Sequence, residues 1–127
     1  MEKKLLSKHE FELRWVDLDA YNHLNNSKYY DFMTECRARD FIEFGKECGF
    51  IVMENSCKYK KPANYPATIC IEQFLHSIST TSFELKYLFF IKGNDKPFAE
   101  GNAKMVCFDL DKNRPIRIPE KMKLLFQ

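Results

Sequence analysis

The order of secondary-structure signals along the chain constrains its fold more than any other feature. One stretch, from about residue 26 to residue 44, lacks glycine and proline and carries apolar side chains at helical spacing, which predicts the only long helix. Asn25 or Asn26 is expected to cap this helix. Later segments rich in β-branched and aromatic residues, separated by turn signals, predict strands over residues 50–59, 68–78, 82–91 and 98–109. The expected architecture is α+β, with the helix packed on a curved antiparallel sheet.

Two shorter elements are expected at the ends of the chain. Alternating residues over positions 11–16 predict a first strand with Phe11, Leu13 and Trp15 on one face. Residues 119–126 predict a short final helix with proline in its first turn.

Arg37 interrupts the apolar stripe of the predicted long helix. Burying an unpaired guanidinium is costly, so we expect a carboxylate partner such as Glu35, Asp40 or a residue of another subunit. The alternative is that the side chain extends from the edge of the stripe to solvent.

Length, charge and cysteine content limit the class of protein. A chain of 127 residues with 45% hydrophobic content fits one compact domain, residues 1–127. The net charge is +2 with both signs mixed along the chain, which gives no indication of nucleic acid binding. No apolar run is long enough for a signal peptide or a membrane-spanning helix. The five cysteines are odd in number and form no CxxC pair, which favours reduced thiols and a cytoplasmic protein.

Polar residues are densest in the predicted loop before the long helix. The start of a helix presents free N–H groups and a partial positive charge, so it can hold an anion or a carbonyl oxygen that is becoming one. A carboxylate, an imidazole and amides beside it can act on an acyl compound. From spacing alone, ordinary capping and turn roles remain the alternative. The cluster comprises Asp17, Asp19, Asn22, His23, Asn25 and Asn26.

The run from Asp17 to Arg37 resembles the DxDxxxHxNNxxYxxFxxExR signature of hotdog-fold thioesterases, in the 4-hydroxybenzoyl-CoA thioesterase-like family. Residues 99–101 resemble the AxG of a central strand in that family, and residues 114–119 resemble its (R/K)PxxIP ending. The resemblance therefore covers nearly the whole chain. It implies a hotdog fold, in which a curved five- to six-stranded antiparallel sheet wraps one long central helix.

The same resemblance implies an acyl-CoA thioester hydrolase that uses neither a metal nor a bound cofactor. Asp19 occupies the position of the general base or nucleophile. The backbone N–H at the start of the helix, near Asn26, corresponds to the oxyanion site, and His23 would shape or polarise it. Tyr29 is expected to contact the substrate. Glu35 is a secondary candidate for the catalytic group, with a structural ion pair to a neighbouring arginine as the alternative.

The resemblance also implies a homodimer with acyl tunnels at the subunit interface, or a homotetramer built as a dimer of dimers. Lys58, Lys60 and Lys61 are candidates for binding the phosphates of coenzyme A, with a solvated strand end as the alternative. Tyr21 stands where plant acyl-carrier-protein thioesterases carry asparagine, which favours coenzyme A as the carrier. Two other functions stay open: a non-hydrolytic acyl-CoA binding protein, and a hotdog dehydratase or hydratase.

Overall fold

The computed structural model describes residues 4–127, and an antiparallel sheet of six strands dominates that part of the chain. The strands are β1 (Lys4–Glu12), β2 (Gly49–Tyr59), β3 (Thr68–Ile78), β4 (Ser82–Ile91), β5 (Ala99–Asp109) and β6 (Arg114–Pro115). Their order is β1-β3-β4-β5-β2, and the short β6 pairs with β5. The predicted strands at 50–59, 68–78, 82–91 and 98–109 are confirmed to within one residue, whereas β6 is a strand that the sequence signals do not predict.

The long helix α1 (Asn26–Phe41) continues as a 3-10 turn (Ile42–Phe44), and α2 (Glu120–Leu125) follows the last strand. The Asn25 side chain accepts a hydrogen bond from the Ser27 N–H and caps α1 as predicted. Of the helices within residues 4–127, none is long and apolar enough to cross a membrane. The α+β prediction, one long helix against a curved antiparallel sheet of five to six strands, is confirmed.

Helix α1 packs on one face of the sheet because alternate strand residues point toward it. Gly101 on β5 allows α1 to approach the sheet closely, since a Cβ atom built there would lie 2.8 Å from the Sδ atom of Met33. Both Met33 and its neighbour Cys36 are fully buried on α1. The inward-facing residues of β4 are likewise buried: Phe83, Leu85, Tyr87 and Phe89.

The prediction of a first strand over residues 11–16 is wrong in its bounds. β1 ends at Glu12, and Trp15 leaves the face that Phe11 occupies and stands 75% exposed in a 3-10 turn. The reason is local, because the carboxylate of Asp17 accepts a hydrogen bond from the Arg14 N–H at 2.9 Å and turns the chain away from the sheet.

Arg37 is buried, and no carboxylate among residues 4–127 forms an ion pair with it, so the expected direct partner is wrong for Glu35 and Asp40. Its guanidinium instead donates to the Tyr87 hydroxyl at 3.3 Å and to Thr34 Oγ1 at 3.1 Å. A buried hydrogen bond from Tyr87 to a glutamine side chain, and a partly buried one from that side chain to Asp40, continue the chain. The positive charge is therefore compensated at a distance, through polar groups that hold α1 on the sheet.

Candidate active site

The loop between β1 and α1 is closed by reciprocal contacts between Asp19 and His23. The Asp19 N–H donates to the His23 carbonyl at 2.8 Å, and Asp19 Oδ1 accepts from the N–H groups of Tyr21 at 2.8 Å and His23 at 3.1 Å. Asn22 completes the turn with a φ of 59°, a conformation that asparagine adopts more readily than most residues. Asp19 Oδ2 accepts no hydrogen bond from residues 4–127, so this oxygen is available to water or substrate.

The start of α1 lies beside this loop and also presents an unused group. Asn25 caps the helix by accepting from Ser27, and its own N–H donates to the Asp17 carbonyl at 2.9 Å. Within the described chain no group accepts a hydrogen bond from the Asn26 N–H. That N–H and the helix dipole together favour negative charge on a nearby ligand atom.

Asp17 anchors the loop from within the protein. Its side chain is 2% exposed, and its carboxylate contacts Arg14 Nη2 at 3.0 Å and lies 3.9 Å from Lys28 Nζ. Burial raises the pKa of Asp17, but the hydrogen bonds from Arg14 and the charges of Arg14 and Lys28 outweigh this effect and hold the pKa below its ordinary value. Asp17 is therefore a structural carboxylate, distinct in its surroundings from the exposed Asp19.

Two clefts meet at Asp19. The lysine cleft has a volume of about 280 Å³, and the tryptophan cleft has a volume of about 590 Å³. The lysine cleft is lined by Asp19, His23, Leu24, Asn26, Tyr59, Lys60, Lys61 and Pro62. The tryptophan cleft is lined by Trp15, Val16, Leu18, Asp19, Ala20 and Asn22. The structure thus brings the three residues expected to be catalytic, Asp19, His23 and Asn26, to one cleft, with Asp19 shared by both.

Two of the three lysines expected to bind phosphate reach the lysine cleft. Lys60 pairs with Glu100 at 2.8 Å, whereas Lys61 forms no ion pair within residues 4–127. Lys58, on β2, is paired in register with Glu100 on β5 and does not line the cleft. Lys61 is consequently the cation most available to an anionic ligand beside Asp19.

The structure does not bring Tyr29 or Glu35 to the clefts. Tyr29 is buried and packs its ring against that of Tyr59 at 4.7 Å, so it supports a residue that lines the lysine cleft, and its contact with substrate stays a prediction. Burial raises the pKa of Tyr29 and of Tyr59 to about 12, which keeps both hydroxyls protonated near neutral pH. Glu35 lies exposed on α1 and forms the alternative structural ion pair, with Arg39 at 3.4 Å.

Sequence reasoning missed Tyr59, Trp15 and Asn64. The Asn64 side chain donates to the Asn22 carbonyl at 2.8 Å, and Leu24 N–H donates to the carbonyl of the residue before Asn64 at 2.7 Å. These contacts join segments about forty residues apart, so local patterns carried no signal for them. The exposed position of Trp15 depends on the Asp17 turn, which alternation alone does not predict.

A cysteine nucleophile is not favoured by this geometry. Cys57 is the cysteine of β2, two residues from Tyr59. Burial raises the pKa of Cys57 to about 11, so its thiol is protonated near neutral pH. None of the five cysteines lines either cleft. Of the groups lining these clefts, the carboxylate of Asp19 is the natural candidate for base or nucleophile.

Comparison with known proteins places these features in a family. The model of the thioesterase-like superfamily matches residues 13–126. The long-chain acyl-CoA thioesterase FadM of Escherichia coli K12 is 22% identical over 121 residues, which cover 90% of this chain and 92% of the relative. The PA2801 protein of Pseudomonas aeruginosa superposes with a TM-score of 0.91 and 26% identity, covering 98% of this chain and all of the other.

A second solved structure, the BH1999 gentisyl-coenzyme A thioesterase, has the same fold. Its TM-score is 0.83 at 23% identity, over 95% of this chain and 100% of the other. The sheet order, the central helix and the family match confirm the predictions of a hotdog fold and of a thioesterase. The chain belongs to the thioesterase-like superfamily.

Proposed function

We propose that the protein hydrolyses an acyl-CoA thioester to the free acid and coenzyme A, with Asp19 as general base or nucleophile. One observation carries this proposal. Asp19 and Asn26 line the same cleft, and each presents an unused group, a carboxylate oxygen and a backbone N–H. A thioester carbonyl bound between them has a base on one side and a donor for its developing charge on the other.

The reaction balances with these groups alone. As general base, Asp19 takes a proton from water while the water oxygen attacks the carbonyl carbon. The carbonyl electrons move onto oxygen, where the Asn26 N–H and the helix dipole stabilise them. The tetrahedral intermediate collapses, the C–S bond breaks, and the thiolate of coenzyme A leaves. The proton on Asp19 then passes to the thiolate or to solvent, which restores the carboxylate. As nucleophile, Asp19 attacks the carbonyl carbon, the C–S bond breaks, and the thiolate of coenzyme A leaves a mixed anhydride. Water then hydrolyses the anhydride to the free acid and restores the Asp19 carboxylate.

His23 and the lysines have supporting roles in this proposal. His23 lines the cleft between Asp19 and the helix start, where its ring can orient the attacking water. Lys60 and Lys61 line the same cleft and would attract the phosphates of coenzyme A as point charges. The acyl-CoA substrate named for the Escherichia coli relative supports coenzyme A as the carrier.

We further propose that two chains associate through β2, giving a homodimer or a dimer of dimers. β2 is an edge strand of the sheet formed by residues 4–127, so one side of its backbone is open to another strand. Ile51, Val52 and Met53 stand exposed along it, and Met53 is 57% exposed. Pairing of two such edges would cover these apolar side chains and continue the sheet across the dimer.

We also propose that the protein is cytoplasmic. All five cysteines are free thiols in the structure, and reduced thiols are typical of cytosolic proteins. Measuring the protein in soluble and envelope fractions of its own cells tests this.

The decisive experiment is a thiol-release assay over aliphatic and aromatic acyl-CoAs, with wild type and Asp19→Asn. We expect Asp19→Asn to lower kcat by at least ~10²-fold, the typical contribution of a general base. His23→Ala should lower it less. Asp111→Asn is the matched control, because Asp111 is an exposed carboxylate just beyond the end of β5 that is remote from the clefts.

Each outcome has a distinct meaning. A near-normal rate in Asp19→Asn transfers the catalytic role to Glu35 or His23. A greater loss in His23→Ala than in Asp19→Asn means that the base has been assigned to the wrong residue. Tight binding of acyl-CoA with no thiol release by wild type would replace the hydrolase with a binding protein.

A further inference from the structure

The tryptophan cleft is an apolar surface that the proposed chemistry leaves unused. Trp15 is 75% exposed and Val16 is 64% exposed, although a large aromatic side chain is usually packed. Their exposure does not come from an unstructured segment, because the buried carboxylate of Asp17 holds the turn that carries them. The sequence contains one tryptophan, and it stands here.

Asp19 lines both this apolar cleft and the cationic one. The reacting carbonyl of a thioester must lie at Asp19, and the two parts of the substrate extend from it in different directions. The carrier with its phosphates suits the cleft that contains Lys60 and Lys61. The other direction from Asp19 leads along Trp15, Val16, Leu18 and Ala20, which offer no charge to a phosphate but suit a hydrocarbon.

We propose that the tryptophan cleft binds the acyl group of the substrate, and that Trp15 and Val16 determine specificity by contacting an apolar acyl chain. This inference rests on the proposed thioesterase function. A volume of about 590 Å³ leaves room for an extended alkyl chain beside the indole ring. Removing one methylene group from water strengthens binding by about fourfold, so a chain that reaches Trp15 gains affinity with each added carbon.

The cleft is continuous with the reaction centre, and this distinguishes an acyl chain from a second protein surface as its occupant. Asp19 is itself one of the lining residues. A protein segment seated over Trp15 and Val16 would close one approach to the carboxylate that the reaction needs. An acyl chain fills the same surface only while its carbonyl is at Asp19.

Intrinsic fluorescence gives a direct test, since Trp15 is the sole source of tryptophan emission. The probes are coenzyme A and its S-decyl thioether, which cannot be hydrolysed. We expect the thioether to shift the emission to the blue by taking the indole out of water, and coenzyme A alone to leave it unchanged. Emission that is already blue-shifted without ligand and insensitive to the thioether would show a covered subunit contact and overturn the proposal.

Kinetics of Trp15→Ala provide the second readout. We expect kcat/KM for decanoyl-CoA to fall by at least ~10-fold, the equivalent of two or more methylene contacts, and that for acetyl-CoA to change by less than about twofold. Ile42→Ala is the matched control, since Ile42 is an equally exposed apolar residue beyond the far end of α1. An equal fall for both substrates would indicate a damaged loop, and no change for either would exclude acyl contact. Both results overturn the proposal.

The two hypotheses can fail separately. If wild type releases no thiol from any acyl-CoA, the proposed hydrolysis fails, yet the fluorescence shift still decides whether the cleft binds an alkyl group. If wild type is active but Trp15→Ala keeps the chain-length profile of wild type, hydrolysis stands and the acyl site lies elsewhere.

Discussion

Replacing Asp17 with asparagine tests whether the loop that carries Asp19 is anchored by a buried charge. Asn keeps the size of the side chain and one oxygen that can accept from the Arg14 N–H, but it removes the charge that faces Arg14 and Lys28. Hydrogen bonds to charged groups contribute about 1.5–3 kcal/mol. The Arg14 side chain is 69% exposed, so solvent weakens its interaction with Asp17. We therefore expect a loss of about 1–2 kcal/mol in the free energy of unfolding near neutral pH.

The pH dependence follows from the lowered pKa of Asp17 in the folded protein. Burial raises this pKa, while Arg14 and Lys28 lower it by more. A carboxyl whose folded pKa lies below its unfolded value of about 3.9 binds fewer protons in the native state. The contribution of the Asp17 carboxylate to stability is therefore fully present above the unfolded pKa and is lost as the pH falls through the folded pKa. The difference in stability between wild type and Asp17→Asn should be largest near neutral pH and should vanish in acid.

Urea denaturation followed by circular dichroism, at a series of pH values from neutral into acid, measures this difference. Asp111→Asn is the control, because it removes the same charge from an exposed turn. A stability gap between wild type and Asp17→Asn that stays constant or widens in acid would refute the reasoning. It would mean that the shape of the side chain, and not its charge, holds the turn.

Two further predictions concern the subunit edge and the contact between helix and sheet. Sedimentation equilibrium should give wild type a mass of two or four chains. Met53→Lys puts a charge on the β2 edge and should shift the mass toward that of one chain. A monomeric wild type would contradict the proposed edge pairing. Gly101→Ala should cost about 1 kcal/mol in urea denaturation, the low end for overpacking, because the Sδ atom that its Cβ would meet at 2.8 Å belongs to the flexible end of Met33. Met33→Ala should relieve most of that cost, and an equal cost in both backgrounds would contradict this contact.

The strands and the long helix could be predicted because their signals are local. In β4, alternate residues such as Phe83 and Leu85 are buried against α1, so the period of two in the sequence matches the observed burial. The long helix was equally clear, because the cap at Asn25 marks its start. The loop before α1 was identified by the family signature and not by spacing, since capping explains its Asp and Asn residues equally well.

Contacts between distant segments could not be predicted from local sequence patterns. Arg37 is compensated through Tyr87 on β4, fifty residues away, so a search for a nearby carboxylate led to the wrong partner. The lysine cleft likewise exists because residues 59–62, at and just beyond the end of β2, lie beside the start of α1. The position of Trp15 was predicted wrongly for the opposite reason. The short-range hydrogen bond from the Arg14 N–H to the Asp17 carboxylate ends the strand, although the alternating residues around Trp15 favour one.

Asp19 holds the loop in addition to the proposed chemistry, and this decides which substitution is informative. Its Oδ1 atom holds the loop by accepting from Tyr21 and His23, and its Oδ2 atom is unused within residues 4–127. Asparagine retains an oxygen in the first position and replaces only the second with an amide that cannot take a proton. Alanine would remove both, and the loop could then relax together with the chemistry. A loss of turnover in Asp19→Asn with unchanged denaturation can therefore be assigned to the missing base, whereas the same loss in Asp19→Ala could not.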